Sequence, residues 1–444
     1  MRGRVPSTLR SRDTELPMTT PRVNAPSAES HATHRDASAQ PAASTHRDAS
    51  VADHLAVVTE LLAPMFAGLG TEVVHLTDAL GRVTASVVTS PVDLPLFRNS
   101  QMDGFAVHAA DVATVPSTLP VVGEVPAGPG TPLPLAPGTA VRIMTGAVVP
   151  EGATAIVPVE DTHAEWGETE HVVISRSRAL GEYVRERGSD ARTGDVLLPR
   201  GIRLSSRHLA ALAAAGLDTV EVDVRARVAV ITTGAELVSP GSPVTDGQVY
   251  DANSVALTSA VIASGGQLAA VQRVVDNPDE MASALRFAAT SADLILTSGG
   301  ISKGDYEVVR EVLVPLGAAT AHLAMQPGGP QLTGTFEGVP VVGFPGNPVS
   351  TQISFEMFVA PQLRERAGLP VARRVQLPLA VDVKSVAGKR QFLRGLTRDD
   401  GTVAPISGPG SHLVAALASA DVLLDIPADT THLAEGDLVE TVQL

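Results

Sequence analysis

The sequence predicts a multidomain α/β plus β chain, centred on a doubly wound sheet of mostly parallel strands, and three observations lead there. At 444 residues the chain is too long for one core, so three or four units are expected. From Val228 onward, short apolar strands alternate with helical segments, the rhythm of a parallel sheet covered on both faces. On either side of that stretch, valine-rich runs are punctuated by proline and glycine, as in small β domains.

Composition narrows the function. Hydrophobic residues make up 44% and charged residues 18%, a soluble globular balance. Aromatics at 3% imply aliphatic cores and no base-stacking surface, and a net charge of −15 opposes phosphate-backbone binding, so no nucleic-acid partner is expected. Without cysteine there is no disulfide framework, thiolate metal site or cysteine nucleophile. No apolar run is expected to span a bilayer and the N-terminus lacks a signal-peptide core, which predicts a cytoplasmic protein with no membrane insertion.

Taken in order, residues 1–49 hold almost no large apolar residues and read as a disordered tail. They include two short THRDAS copies and the histidines His31, His34 and His46, read as solvated rather than metal-binding. Ser50 and Asp53 form a helix cap, and Leu55, Val58, Leu62 and Met65 share one face, predicting a helix to about residue 66. Strand-like text from Gly81 leads to a polar turn, Asn99 to Gly104. There Asp103 is placed either to close an Asx-turn or to face a ligand. The Thr145-Gly146 turn further on sits between two apolar strands and is equally open to both readings. A helix over Ser206–Ala215 closes on Gly216.

The alternating region follows: a strand at Val228, a helix from about Ser254 to Gly265, a strand, and a helix from Pro278 to about Ala289 capped by Asn277. Next come the strand into Thr297-Ser298-Gly299-Gly300, a helix from Tyr306 to about Leu316, the strand into Pro345-Gly346-Asn347-Pro348, and a helix to about Ala367. Four further strands between residues 374 and 444 make a small β-barrel or sandwich.

Two glycine turns stand at strand ends that open helices, a geometry that aims backbone N–H groups at anions. In the first, Ser298, Gly299, Gly300 and Ser302 form a hydroxyl-rich turn, with Lys303 and Asp305 at its mouth. In the second, Asn347 is placed to cap the helix, Pro348 occupies the position where a missing N–H costs nothing, and Gly346 allows close approach. Asp276 falls at a third strand end, so the three converge where ligands of such sheets bind. Each turn alone also fits an ordinary strand-to-helix connection, with Asp305 as a cap and Asp276 as a turn residue.

With these segments assembled, the chain from about residue 51 resembles the molybdopterin molybdenumtransferases, the MoeA and gephyrin E-domain family. The match is carried by NSQMDGFAV at 99–107, RIMTGA at 142–147, TTGAEL at 232–237, GQVYDANS at 247–254, TSGGISKGDY at 297–306, QPGGP at 326–330, FPGNPVS at 344–350 and FLRG at 392–395. The resemblance implies four domains. These are an elongated discontinuous domain (50–97 and 186–225), an inserted β domain (98–185), a molybdopterin-binding-like α/β domain (226–372) and a C-terminal β-barrel (373–444). It implies a homodimer that transfers molybdenum from molybdate onto adenylylated molybdopterin with loss of AMP, assisted by Mg2+. Carried over by position, Asp103 and Thr145 would face the pocket from the partner subunit, and Asp276 and Asp305 would be the acidic, metal-holding pair. Ser298, Gly299, Gly300, Ser302 and Lys303 would cradle phosphate, and Pro345, Gly346, Asn347 and Pro348 would shape the pterin-side loop.

The chain departs from the family at His322, Gln326 and Gly329, where lysines are common, and at Ser189 in place of an acid, with Asp190 retained. Lys303, Arg273 or Arg394 are candidates to supply the missing charge. These losses support a rival reading, a gephyrin-like dimeric scaffold that binds a peptide-bearing protein partner.

Overall fold

The computed structural model describes residues 48–163, 170–302 and 307–444. The expected tail, with its THRDAS copies and three histidines, lies outside the described residues except for Asp48 and Ala49. Those two are ordered: Ala49 donates its N–H to the His322 carbonyl at 3.1 Å and accepts from Ala324 N–H at 2.9 Å.

The central sheet has six strands: β1 Arg227–Thr233, β2 Gln267–Val274, β3 Leu294–Ser298, β4 Ala319–His322, β5 Pro330–Phe336 and β6 Val339–Phe344, in the order β2-β1-β3-β6-β5-β4. The first four of that order are parallel, and β5 and β4 add antiparallel at one edge. Alternation splits each central strand between two cores. Val228, Val230, Leu294, Leu296, Val342 and Phe344 face helices Val51–Gly68, Ala252–Ala263 and Pro348–Phe358, whereas Ala229, Ile231, Ile295 and Val341 face helices Pro278–Ala289 and Val308–Leu313. Near-continuous apolar strands are the consequence of burial on both sides.

Local signals account for the helix limits. Asn277 accepts from the N–H groups of Asp279 and Glu280 and Pro278 takes the first turn, so that helix starts where expected. Ser50 accepts from Asp53 N–H as predicted, and the helix runs to Gly68. Its length and mean hydropathy of 1.3 meet the criteria for a membrane span, contrary to the expectation that no segment would. Its buried residues Val51, His54, Val58 and Leu62 instead pack on the α/β core. The single helix expected over 348–367 is two, Pro348–Phe358 and Ala360–Arg366, because Pro361 has no N–H to continue the ladder.

Six strands between Gly104 and Ile174 form a second sheet. The chain enters and leaves it side by side, Asn99 and Ser100 pairing with Arg185 and Val184. Thr71–His75 pairs with Thr219–Asp223, and Val88–Thr89 with Val196–Leu198, so segments on either side of the insertion share a small core around Leu198, Leu204, Leu212 and Val222.

At the C-terminus, strands Arg374–Pro378, Leu438–Gln443, Val422–Ile426, Arg390–Thr397 and Val403–Pro405 pair in turn, and a Leu379–Val403 bridge nearly closes the ring into a barrel. Met325–Gln326, from the loop after β4, joins this sheet beside Arg390–Gln391. That loop therefore belongs to both domains.

Candidate active site

The carboxyl ends of β1, β3 and β6 open into a cleft of about 740 Å³. Its second wall comes from the C-terminal domain, through Lys389 and the segment Pro409 to His412. Acids lining it are Glu236, Asp276 and Glu307, and among the described residues Lys389 is its lysine, beside His322 and His412.

Asp276 lines the cleft and braces it. One carboxylate oxygen accepts from Thr233 Oγ1 at 2.8 Å and the other from Ala235 N–H at 3.2 Å, which fixes the turn after β1. The turn-residue reading is thus realised, at a position on the cleft wall.

Gly299 and Gly300 adopt left-handed φ of 95° and 66°. A Cβ on Gly299 would stand 2.5 Å from the Thr233 carbonyl oxygen, so glycine lets the ends of β1 and β3 close together. The Gly299 N–H already donates to the Phe344 carbonyl at 3.1 Å, and the Ser302 N–H to Glu307 Oε2 at 2.6 Å. The open donors of this turn are the N–H groups of Gly300 and Ile301, which meet no acceptor among the described residues. Lys303 and Asp305 lie outside the described residues.

Ser298 corrects the expectation of a phosphate-facing hydroxyl. Strand alternation puts it on the face of Leu294 and Leu296, where its Oγ accepts from Asn253 Nδ2 at 2.9 Å and meets Thr351 Oγ1 at 3.1 Å. It is 1% exposed and does not line the cleft.

Pro345, Gly346 and Asn347 line the cleft; Pro348 does not. Asn347 holds the N-cap position without a side-chain capping bond, another departure from expectation. The Val349 N–H is instead satisfied by the Ser411 carbonyl at 3.2 Å, so the C-terminal domain caps this helix and removes a donor from the cleft.

Asp103 and Thr145 do not line the cleft of their own chain. They form one exposed turn in which Thr145 N–H donates to Asp103 Oδ1 at 2.6 Å. That bond holds the Asp103 carboxyl below the usual carboxylate range, so it is ionised at neutral pH. Asp103 therefore closes a turn across strands, not an Asx-turn of its own.

Sequence reasoning passed over two residues. Glu236 lies in the TTGAEL turn, its carboxylate folded back to within 2.6 Å of where a Cβ on Gly234 would stand. Asn253 is buried and joins both glycine turns, donating from Nδ2 to Ser298 Oγ and, at 2.7 Å, to the Gly346 carbonyl. No local signal marked it, since Ser254, Thr258 and Ser259 are polar positions of the same helix and its partners lie far along the chain. Of the candidate compensating cations, Arg273 donates to Ser239 Oγ at 3.0 Å. Arg394 is buried and donates to Gly410 O at 3.2 Å and to Gly408 O. It shapes the loop that carries His412 and does not itself reach the cleft.

Comparison with known proteins gives the same picture. Three family models match in succession: the MoeA N-terminal region (domains I and II) over residues 49–216, the probable molybdopterin binding domain over 229–365, and the MoeA C-terminal region (domain IV) over 376–444. The chain is 42% identical over 409 residues to molybdopterin molybdenumtransferase 2 of Mycobacterium tuberculosis, covering 89% of this chain and 99% of the relative. It is 35% identical to the molybdopterin molybdenumtransferase of a Nostoc species, covering 89% and 94%. A crystal structure of the molybdopterin biosynthesis MoeA protein from Pyrococcus horikoshii superposes with a TM-score of 0.75 at 31% identity, covering 89% and 99%. With the segments in order along nearly the whole chain and the cleft at the strand ends, this protein belongs to the molybdopterin molybdenumtransferase family.

Proposed function

We propose that the cleft binds adenylylated molybdopterin and transfers molybdenum onto it from molybdate, releasing AMP. The observation that carries this reading is the junction of two glycine turns with an acidic rim at the carboxyl ends of parallel strands. Open N–H groups at Gly300 and Ile301 suit phosphate or molybdate oxygens, while Pro345, Gly346 and Asn347 form a backbone-lined edge for the pterin. Water attacks the phosphoanhydride and AMP leaves, while the dithiolene thiols bond to molybdenum and displace one molybdate oxygen, which departs as water with their two protons; the cleft walls hold dithiolene and molybdate close together.

Asp276, with Asp305 and the neighbouring Glu236, offers hard oxygen donors suited to magnesium. Carboxylates of this kind suit a hydrated ion that keeps several waters and arrives with the nucleotide. Such an ion would neutralise phosphate charge. Asp103 and Thr145 enter from the partner subunit of a homodimer, which accounts for an ionised, exposed carboxylate outside its own chain's cleft. A cytoplasmic location goes with this chemistry. The scaffold reading is not favoured, since the relatives above are named as transferases.

The test is AMP release by the full chain given adenylylated molybdopterin, magnesium and molybdate, with the product assayed for active cofactor. Molybdate-dependent release that Asp305→Ala abolishes supports the assignment. Release indifferent to molybdate would refute it.

A further inference from the structure

We propose that Arg203 and Arg225 form a second anion site, remote from the cleft, that takes a tetrahedral dianion of the phosphate class. It lies at the seam between the small core flanking the insertion and the α/β core, and it does not depend on the transferase reading.

Three observations converge. First, the two side chains meet over one glycine. Gly81 has a left-handed φ of 73°, and the place a Cβ would take there stands 3.1 Å from Arg203 Nη2 and 3.9 Å from Arg225 Nη2. Those distances put the two nitrogens within about 7 Å of each other, a gap that one phosphate spans with a charge-assisted bond of about 2.8 Å to each. Second, both guanidinium groups lack a carboxylate. Glu72 is paired with Arg82 and Asp223 with Arg366, and neither Arg203 nor Arg225 donates to an acceptor among the described residues. Third, the backbone holds Arg203 in place. Val83 and Arg203 form an antiparallel bridge, with Gly81 N–H donating to Leu204 O at 2.8 Å and Thr84 N–H to Ile202 O at 3.0 Å. The stem of Arg203 packs on Gly368, where a Cβ would stand 3.3 Å from Arg203 Cβ.

Like charges this close repel each other, and Arg225 is half-buried. Burial lowers its pKa, Arg82 and Arg203 lower it further, and Glu72 opposes them. In a chain of net charge −15, two uncompensated guanidinium groups are a local exception, and a dianion that accepts from both removes the repulsion. The fork of donors on each guanidinium matches phosphate oxygens. Arg225 lies two residues before β1, whereas the cleft opens past the carboxyl end of that seven-residue strand, so the two sites are roughly 20 Å apart. An anion here ties Arg203 of the small core to the segment that leads into the central sheet.

Inorganic phosphate and the phosphate of a nucleotide supply the same group, and the experiment separates them. The full chain is titrated calorimetrically at low salt with sodium phosphate and, separately, with AMP, and its unfolding midpoint is followed with and without phosphate. Arg203→Ala and Arg225→Ala are each expected to weaken phosphate binding roughly tenfold or more, the loss of one charge-assisted bond, and to remove most of the phosphate-induced rise in the midpoint. A parallel loss for AMP assigns the site to phosphomonoesters, whereas an unchanged AMP affinity assigns it to the free ion. Arg203→Glu should abolish phosphate binding while raising the midpoint of the anion-free protein, since its carboxylate then pairs with Arg225; this variant keeps the test open should either truncation disturb the fold. Molybdate-dependent AMP release should be the same in all of these variants. Phosphate affinity equal in the wild type and every variant, the result for binding in the cleft alone, overturns the proposal, as does no phosphate binding to the wild type at millimolar concentrations. Loss of binding to a hexaglutamate peptide in the variants, with phosphate affinity unchanged, overturns it in favour of an acidic peptide.

Discussion

Replacing Asn253 by alanine tests how the two glycine turns are held together. The side chain is 5% exposed, and its Nδ2 donates to Ser298 Oγ at 2.9 Å and to Gly346 O at 2.7 Å, one partner on each turn. Each buried bond contributes about 1 kcal/mol net, and the variant also leaves a small void, so a loss of about 2–3 kcal/mol in unfolding free energy is expected. Urea unfolding of the full chain measures this directly. Because Gly300, Ile301 and Gly346 move independently once unlinked, KM for adenylylated molybdopterin should rise in the same variant. Asn253→Asp should be worse at neutral pH, since its carboxylate would face the Gly346 carbonyl oxygen, and should recover partly on acidification. An Asn253→Ala protein within ~0.5 kcal/mol of wild type and with unchanged KM would refute the bracing role.

Other outcomes are equally specific. His54 is buried against Phe358, their rings meeting edge-on at 4.7 Å, and burial lowers its pKa to about 4. The unfolded chain therefore binds the proton more readily, and stability falls as pH drops below the unfolded value near 6.5, levelling off below about 4. By pH 5 the loss is roughly 2 kcal/mol, which His54→Phe should abolish in unfolding measurements at pH 7 and 5. Gly299→Ala combines a left-handed φ of 95° with a contact 2.5 Å from a backbone oxygen, and should cost about 2 kcal/mol or more by thermal unfolding. Asp103→Asn keeps the shape of its exposed turn but removes the charge, so molybdate-dependent AMP release should fall roughly a hundredfold while the unfolding midpoint stays put. If the site is shared between two copies as proposed, mixing Asp103→Asn chains with Asp276→Ala chains should restore part of that release, since one intact site would form in each hybrid dimer; no recovery would argue against a shared site.

Features decided within a few residues were legible in the sequence. Asn277-Pro278 announces its helix because cap and proline act within one turn, and Gly299 announces a tight turn because few other residues tolerate its φ. Features decided by distant pairing were not. Strands β4 and β5 run antiparallel at the sheet edge, an arrangement set by where β6 lies rather than by their own composition. Ser298 looked like a ligand contact until strand alternation turned it beneath a helix. Asn253 was invisible because its partners are 45 and 93 residues away in sequence. Pro361 was present to be read, yet the apolar pattern running across it suggested one continuous helix.

The most direct test of the account is a calorimetric titration of adenylylated molybdopterin into the full chain, alongside Asp276→Ala. The account predicts one molecule bound per chain and a marked loss of affinity in the variant, whose turn after β1 is released. No heat of binding in the wild type, or the same affinity in both proteins, would contradict it.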